Sequence, residues 1–464
     1  MPGAMGLKTY TRKRKRTIVQ QQTTPELLDE IVFEILIRLP VQSLSRFRSV
    51  CKAWHAIISD PAFIRAHLQC SKQKQHQESS SFLITPRLQK EFEDTPAGVS
   101  STHICFYQWC LQQDKRRIAT LVCGKVFPGE VLGRVSQIAH CDGLVLIPTS
   151  TNAYVFNPAT RDAVVLPESQ RDVMRHHSCL PIGFGLDTST GRYKVARAFY
   201  RSSANPRSSF VMPPRKQLFV SRFAIRKGRR GASWNSWIRA WWGSHDHDSK
   251  EILAMGMEVF TINGEDGSWR ETLVDPPYPV LSSQTAVHCK GYLFYFINKN
   301  NQQQPPRGLL RFSLQDETFG ITKFPELYPS FEDEDIHVSE LDGELCFTYL
   351  AKHMQHVLIF VTRDVLVPKW DIRHIVSIPE QCYPIASLGS MSSLGSNGIL
   401  LRQGTCIFRY DLEARKVRKD EIFDMDGFIY VGSSLPTRRK VFWFDLISYT
   451  ESLVPITPKG ISQA

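Results

Sequence analysis

The sequence predicts an α+β chain: a small N-terminal helical unit, then an all-β domain, a β-propeller of five or six four-stranded blades. Three observations carry this. Residues 27–63, "LLDEIVFEILIRLPVQSLSRFRSVCKAWHAIISDPAF", hold apolar side chains at helical spacing and are broken by proline. Beyond the polar stretch "SKQKQHQESSS" at 71–81, short apolar runs alternate with turn residues and no long helical pattern is present. Within that region a glycine turn followed by an apolar strand recurs at intervals of about 50 residues.

The helical unit spans 23–70 and reads as three helices. Thr24 is placed as an N-cap with Pro25 at the first helical position, and Leu28, Ile31, Val32, Ile35, Leu36 and Leu39 follow at helical period. Pro40 ends that helix, because proline disfavours helical geometry at the residue before it. A second helix carries Leu44, Phe47, Val50, Cys51 and Trp54, and Asp60-Pro61 starts a third with Phe63, Ile64 and Leu68. A unit of this size buries little surface alone, and its apolar residues exceed what one helix face needs, so it is expected to hold a partner.

Residues 71–81 read as a polar linker and 82–455 as the β domain. Its repeated turns are "CDGLVLI", "CKGYLFYF", "LDGELCF" and "SNGILL", at Gly143, Gly291, Gly343 and Gly398. Each is followed by a second hairpin, "YVFNPATRDAVVL", "LLRFSLQDETFGITKF", "VLIFVTRDVLVPKW" and "CIFRYDLEARKV", which makes four strands per unit. Further hairpins are read in "STHICFYQWCLQQDKRRIATLV", "GFGLDTSTGRYKVARAF" and "MEVFTINGEDGSWRETL". "FIYVGSSL" and "YTESLVPI" read as late strands, one of which is expected to close a ring with the early hairpin. An insertion at about 201–250 interrupts the pattern.

The formal charge of +12 is uneven. Residues 1–22 read as a basic, disordered arm with Arg12, Lys13, Arg14, Lys15 and Arg16, a candidate nuclear-localisation run that reads equally as a solvated tail. The expected compartment is therefore nucleus, cytoplasm or both. Eleven scattered cysteines without a CxxC pair fit a reduced compartment better than a disulfide framework or a zinc site. The longest apolar runs are far too short to span a membrane, so no membrane partner is expected.

No P-loop, HExxH or GxSxG is present. "GFGLDT" lacks the third glycine of a dinucleotide fingerprint, and "HDHD" at 245–248 reads as a polar loop rather than a metal site. No cofactor, metal or catalytic group is expected. Inside the insertion, Arg229 and Arg230 precede Trp234, Trp237 and Trp241. Packing, protein recognition and nucleic-acid stacking each account for that arrangement, and it is kept as the substrate-surface candidate.

Residues 27–68 resemble the F-box in its plant form, and "VFNPATRDAVVLP", "GFGLDTSTGRYKVARAF" and "LDGELCF" resemble the F-box-associated, kelch-related β domain of plant F-box proteins. The resemblance implies a non-enzymatic substrate adaptor of an SCF-type ubiquitin ligase. Its F-box would dock a Skp-type linker protein, and through it cullin and RING subunits, while the β domain captures an unknown protein substrate. It implies that Leu27, Leu39, Pro40, Leu44, Val50, Cys51 and Trp54 face the linker or brace that face, with Ile31, Ile35 and Phe47 packing internally. Leu27-Leu28 stands where the family has Leu-Pro. The alternative is a nuclear, nucleic-acid-associated propeller using the arm and the Arg/Trp insertion. Nucleic acid is the disfavoured partner, because the rest of the chain is near neutral.

Overall fold

The computed structural model describes residues 28–77, 81–88, 101–111, 117–128, 138–149, 152–169, 181–201, 255–281, 285–298, 306–326, 336–351, 356–377, 388–394, 398–403, 405–432 and 441–456. The N-terminal unit has four helices rather than three: α1 (Asp29–Leu36), α2 (Val41–Phe47), α3 (Lys52–Ser59) and α4 (Pro61–Gln77). The expected second helix is split because Cys51 leaves helical geometry and caps α3, its Sγ accepting from the Trp54 N–H at 3.4 Å. Asp60 caps α4 as its sequence suggests, Oδ1 accepting from the Ala62 and Phe63 N–H groups at 2.7 and 3.2 Å. Residues 71–77, read as linker, instead continue α4. The Thr24 cap lies outside the described residues.

The β domain is a six-bladed propeller, built blade by blade along the chain. Blade 1 holds β1 (Ser81–Leu88), β2 (Ser101–Cys110) and β3 (Ile118–Pro128). Blade 2 holds β4 (Ala139–Cys141), β5 (Leu144–Pro148), β6 (Ala153–Phe156) and β7 (Ala163–Val165). Blade 3 holds β8 (Ile182–Asp187), β9 (Arg192–Tyr200), β10 (Met255–Thr261) and β11 (Arg270–Glu271). Blade 4 holds β12 (Val287–Cys289), β13 (Tyr292–Phe296), β14 (Gly308–Ser313) and β15 (Phe319–Lys323). Blade 5 holds β16 (Ile336–Leu341), β17 (Glu344–Ala351), β18 (His356–Thr362) and β19 (Asp371–Ser377). Blade 6 holds β20 (Leu388–Ser393), β21 (Ile399–Gln403), β22 (Cys406–Asp411) and β23 (Lys416–Asp424).

Two late strands return to blade 1. β24 (Ile429–Val431) pairs in parallel with the outer edge of β3, and β25 (Val441–Ser448) pairs antiparallel with β1 along its whole length. The ring therefore closes through β25, as innermost strand of a blade otherwise made by the start of the domain. "YTESLVPI", read as a strand, is residues 449–456 and carries none.

The blades hold together because each sheet is apolar on both faces. Six buried clusters lie between successive blades, such as Phe106, Phe127, Val145 and Phe156 between blades 1 and 2, or Phe82, Trp109, Leu400 and Phe444 between blades 6 and 1. Polar ties add register. In "GLDTSTGRYK", Lys194 Nζ bridges Asp187 of its own blade at 3.0 Å and the Leu314 carbonyl of blade 4 at 2.6 Å. Burial pushes the Asp187 carboxyl up, but bonds from Ser189, Lys194 and Thr190 outweigh it and hold it well below the usual range.

The two-residue turns at Asp142-Gly143, Lys290-Gly291 and Asp342-Gly343 have positive φ at both positions, the hairpin geometry that glycine serves. Gly398 is not in that conformation. The segment "VLIFVTRDVLVPKW" holds one strand, its partner β19 starting just after Trp370. The glycines of "GFGL" are there for close packing: a Cβ on Gly185 would lie 2.1 Å from the His288 ring.

Three histidines sit on innermost strands. Burial pulls His140, His288 and His337 from the ordinary 6.5 down to about 4; Asp142 opposes it at the first two, while Lys72 assists at His288 and Arg402 at His337. These rings stay neutral when folded and take protons more readily when unfolded, so their contribution is full above pH 6.5 and is lost as pH falls from 6.5 toward 4. Tm should hold steady down to about pH 6.5 and then decline, before carboxylates begin to protonate below about pH 5. A melting curve flat to about pH 5 contradicts this reading.

Candidate protein-docking face

On α1, Val32 and Leu36 are buried and Phe33 and Ile37 are partly buried, against Val41, Leu44, Ile58, Phe63 and Ile64. Phe33 meets Phe63 edge-on at 5.2 Å, and Phe47 meets Trp54 at the same separation. His67 is buried behind Phe63, its Nε2–H donating to the Leu39 carbonyl at 2.9 Å. That bond satisfies a carbonyl left open where Pro40 interrupts the helix. Burial holds His67 below its ordinary pKa, the Leu39 bond opposing.

A second apolar strip on α1 is left over. Leu28, Ile31 and Ile35 are 66, 45 and 50% exposed. At about 100° per residue they share an arc of about 60°, beside the buried arc but outside it. Val50 is 60% exposed between α2 and α3, next to the exposed Cys51, and Pro40 is exposed after α1. Burying the remaining half of one such side chain against a partner is worth about 1 kcal/mol.

The expected docking residues divide accordingly. Pro40, Val50 and Cys51 are exposed, Leu39 and Trp54 are partly buried, and Leu44 is fully buried in the helical core, where it braces rather than faces outward. The expected internal packing of Ile31 and Ile35 is corrected: both point out of the core, while Phe47 does pack onto Trp54. Leu27, the basic run Arg12, Lys13, Arg14, Lys15 and Arg16, and the candidates Arg229, Arg230, Trp234, Trp237 and Trp241 lie outside the described residues. The helix pattern contained the missed signal, since its apolar arc is wider than one core contact requires.

The unit rests on the propeller beside blade 2. Lys72 of α4 pairs with Asp142 in the β4–β5 turn at 2.5 Å, and Tyr193 O–H donates to the same carboxylate at 2.8 Å. Ala159, in the β6–β7 turn, packs against the helical cluster. Strand alternation puts these turns at one end of the blades. The chain leaves β9 at Tyr200 and re-enters β10 at Met255, a paired position at the opposite end. Among the described residues no group of three or more His, Cys, Asp or Glu side chains is placed to hold a metal, and nine cysteines are free thiols.

Residues 25–65 match the F-box domain family. An F-box/kelch-repeat protein of Arabidopsis thaliana is 22% identical over 322 residues, covering 69% of this chain and 64% of its own length. A second is 24% identical over 351 residues, covering 73% and 68%. An F-box protein of the same plant is 32% identical over 197 residues, covering 39% and 46%. Residues 25–65 are thus an F-box, and the chain as a whole is similar to plant F-box/kelch-repeat proteins. It spans about two thirds of the length of the first two relatives and under half of the third.

In this F-box, Ile31 and Ile35 are surplus to the fold. Ile31→Glu and Ile35→Glu should each change the unfolding free energy by less than about 0.5 kcal/mol, as surface substitutions do. Denaturant unfolding checks this, and a loss of about 2 kcal/mol or more would return both residues to the core.

Proposed function

We propose that this F-box protein is the substrate-recognition adaptor of an SCF-type ubiquitin ligase. The observation that carries the reading is the exposed apolar strip Leu28, Ile31 and Ile35, with Pro40, Val50 and Cys51, on a segment that matches the F-box. The strip docks a Skp-type linker, with Leu39 and Trp54 at its margin and Leu44 bracing it from beneath; Leu27 is proposed as a further linker contact. Through the linker the chain meets cullin and RING subunits. It does no covalent chemistry; it raises the local concentration of a bound protein near the ubiquitin-charged enzyme.

The propeller end away from the F-box takes the substrate. The long connections leave from that end: Leu88 to Ser101, Val165 to Ile182, Tyr200 to Met255, Lys323 to Ile336 and Ser377 to Leu388. The turns at the F-box end include three of two residues. Loops of the first kind vary freely on a rigid scaffold and carry recognition. The Arg229, Arg230, Trp234, Trp237 and Trp241 group belongs to one of them and is proposed as part of the capture surface.

Capture of a plant Skp-type linker by the purified chain tests the reading. Ile35→Asp with Val50→Asp should weaken capture at least 100-fold while Tm stays within a few degrees. Undiminished capture by the double variant rejects the docking face. The basic arm is proposed to direct the chain to the nucleus. Replacing Arg12, Lys13, Arg14, Lys15 and Arg16 with glutamine should lower the nuclear share of a fluorescent fusion, and an unchanged distribution reduces the run to a solvated tail.

A further inference from the structure

We infer that residues 449–456 are a strap that bolts the F-box to the propeller, with Asn157, Glu451 and Leu453 as its positioning residues. The segment follows β25 directly, and its first N–H, from Tyr449, donates to the Ser81 carbonyl at 2.9 Å. It then crosses the Asp142-Gly143 turn so closely that a Cβ on Gly143 would lie 2.2 Å from the Thr450 carbonyl oxygen. Glu451 Oε2 accepts from the Val41 N–H at 2.7 Å. Helix α2 has no side-chain cap of its own, since Pro40 stands at its N-cap, so a carboxylate 410 positions away supplies it.

The next residues alternate between the two bodies. Leu453 is buried in the F-box cluster with Val41, Leu44 and Phe63. Ile456 is buried in the cluster between blades 2 and 3, and Val454 touches both clusters. Buried Asn157 fixes the backbone between them, Nδ2 donating to the Ser452 carbonyl at 2.9 Å and the Val454 carbonyl at 3.3 Å. Its Oδ1 accepts from Ala159 and Thr160 N–H groups, which gives the asparagine of "FNPATR" its reason. Asn263 Nδ2 donates to the Pro455 carbonyl at 3.0 Å. Glu451 and Leu453 thus anchor the strap to the F-box, Ser452, Pro455 and Ile456 anchor it to the propeller, and Val454 touches both; none of these contacts uses the exposed strip of α1.

The F-box and the propeller consequently move as one body. The consequence for ubiquitin transfer rests on the adaptor reading: a protein held at the far end of the propeller is presented at a set distance and angle from the linker.

The test uses the full chain carrying Leu453→Asp, Glu451→Ala or the conservative Leu453→Met. Spectroscopic labels are placed at Arg65 and Glu413 through unnatural amino acids, because the chain has free thiols. In Leu453→Asp the Val41 amide should exchange at least tenfold faster and the label distance should broaden, with blade amides unchanged; Leu453→Met should match the parent. Glu451→Ala, which removes only the cap, should speed Val41 exchange without touching the ring, and it carries the test alone if Leu453→Asp also loosens the blades. Parent-like exchange and one narrow distance in both Leu453→Asp and Glu451→Ala overturn the inference. Linker capture is read separately: its absence in the parent chain would sink the adaptor reading and leave the strap standing.

Discussion

The structure depends on the pairing of β25 with β1. A propeller sheet buries both faces, so a missing innermost strand would open the apolar clusters on either side to water. Here the last strand of the domain fills that place in the first blade, with seven partnered positions from Phe82–Ser448 to Leu88–Val441. Asp445 on β25 sits among Thr85 and Arg87 of β1, at 3.1 and 3.5 Å, and the Phe444 carbonyl accepts from Arg402 of blade 6. Breaking such a buried charge from its partners costs about 3–5 kcal/mol, so the closing strand is held in register as well as in place.

Closure also sets the position of the F-box. Helix α4 leads into β1 and the strap leads out of β25, and both junctions lie at the same end of blade 1, where Tyr449 bonds Ser81. One antiparallel pair therefore anchors the ring, the entry of the helices and the segment that clamps them. The result is a two-ended molecule. Short turns and the F-box occupy one end, and the long connections leave from the other.

Much of this was legible in the residues, for identifiable reasons. Asp142-Gly143, Lys290-Gly291 and Asp342-Gly343 mark hairpins because the turn demands positive φ, and the structure shows that φ in all three. Asp60-Pro61 marks a helix start because carboxylate and proline both suit it. "SNGILL" shares the glycine-then-strand pattern, but Gly398 lacks the positive φ of the other three glycines, since one residue pattern serves several turn types. "YTESLVPI" has a strand's alternation of apolar residues, but Leu453 and Ile456 face two different bodies instead of one sheet. Ile31 and Ile35 face outward against the sequence expectation because helical periodicity reports that a residue is apolar without reporting what buries it. Cys51 splits a helix that periodicity runs through, because capping by a cysteine leaves no strong sequence signal.

On the proposed function, the α1 strip is the surface that meets a Skp-type linker. Amide hydrogen exchange of the full chain, alone and with a plant Skp-type linker, tests it most directly. Exchange should slow along α1 and around Val50–Cys51, while the strap and the long-connection end of the propeller stay as they were. Slowing confined to the propeller, or no slowing anywhere at saturating linker, would contradict it.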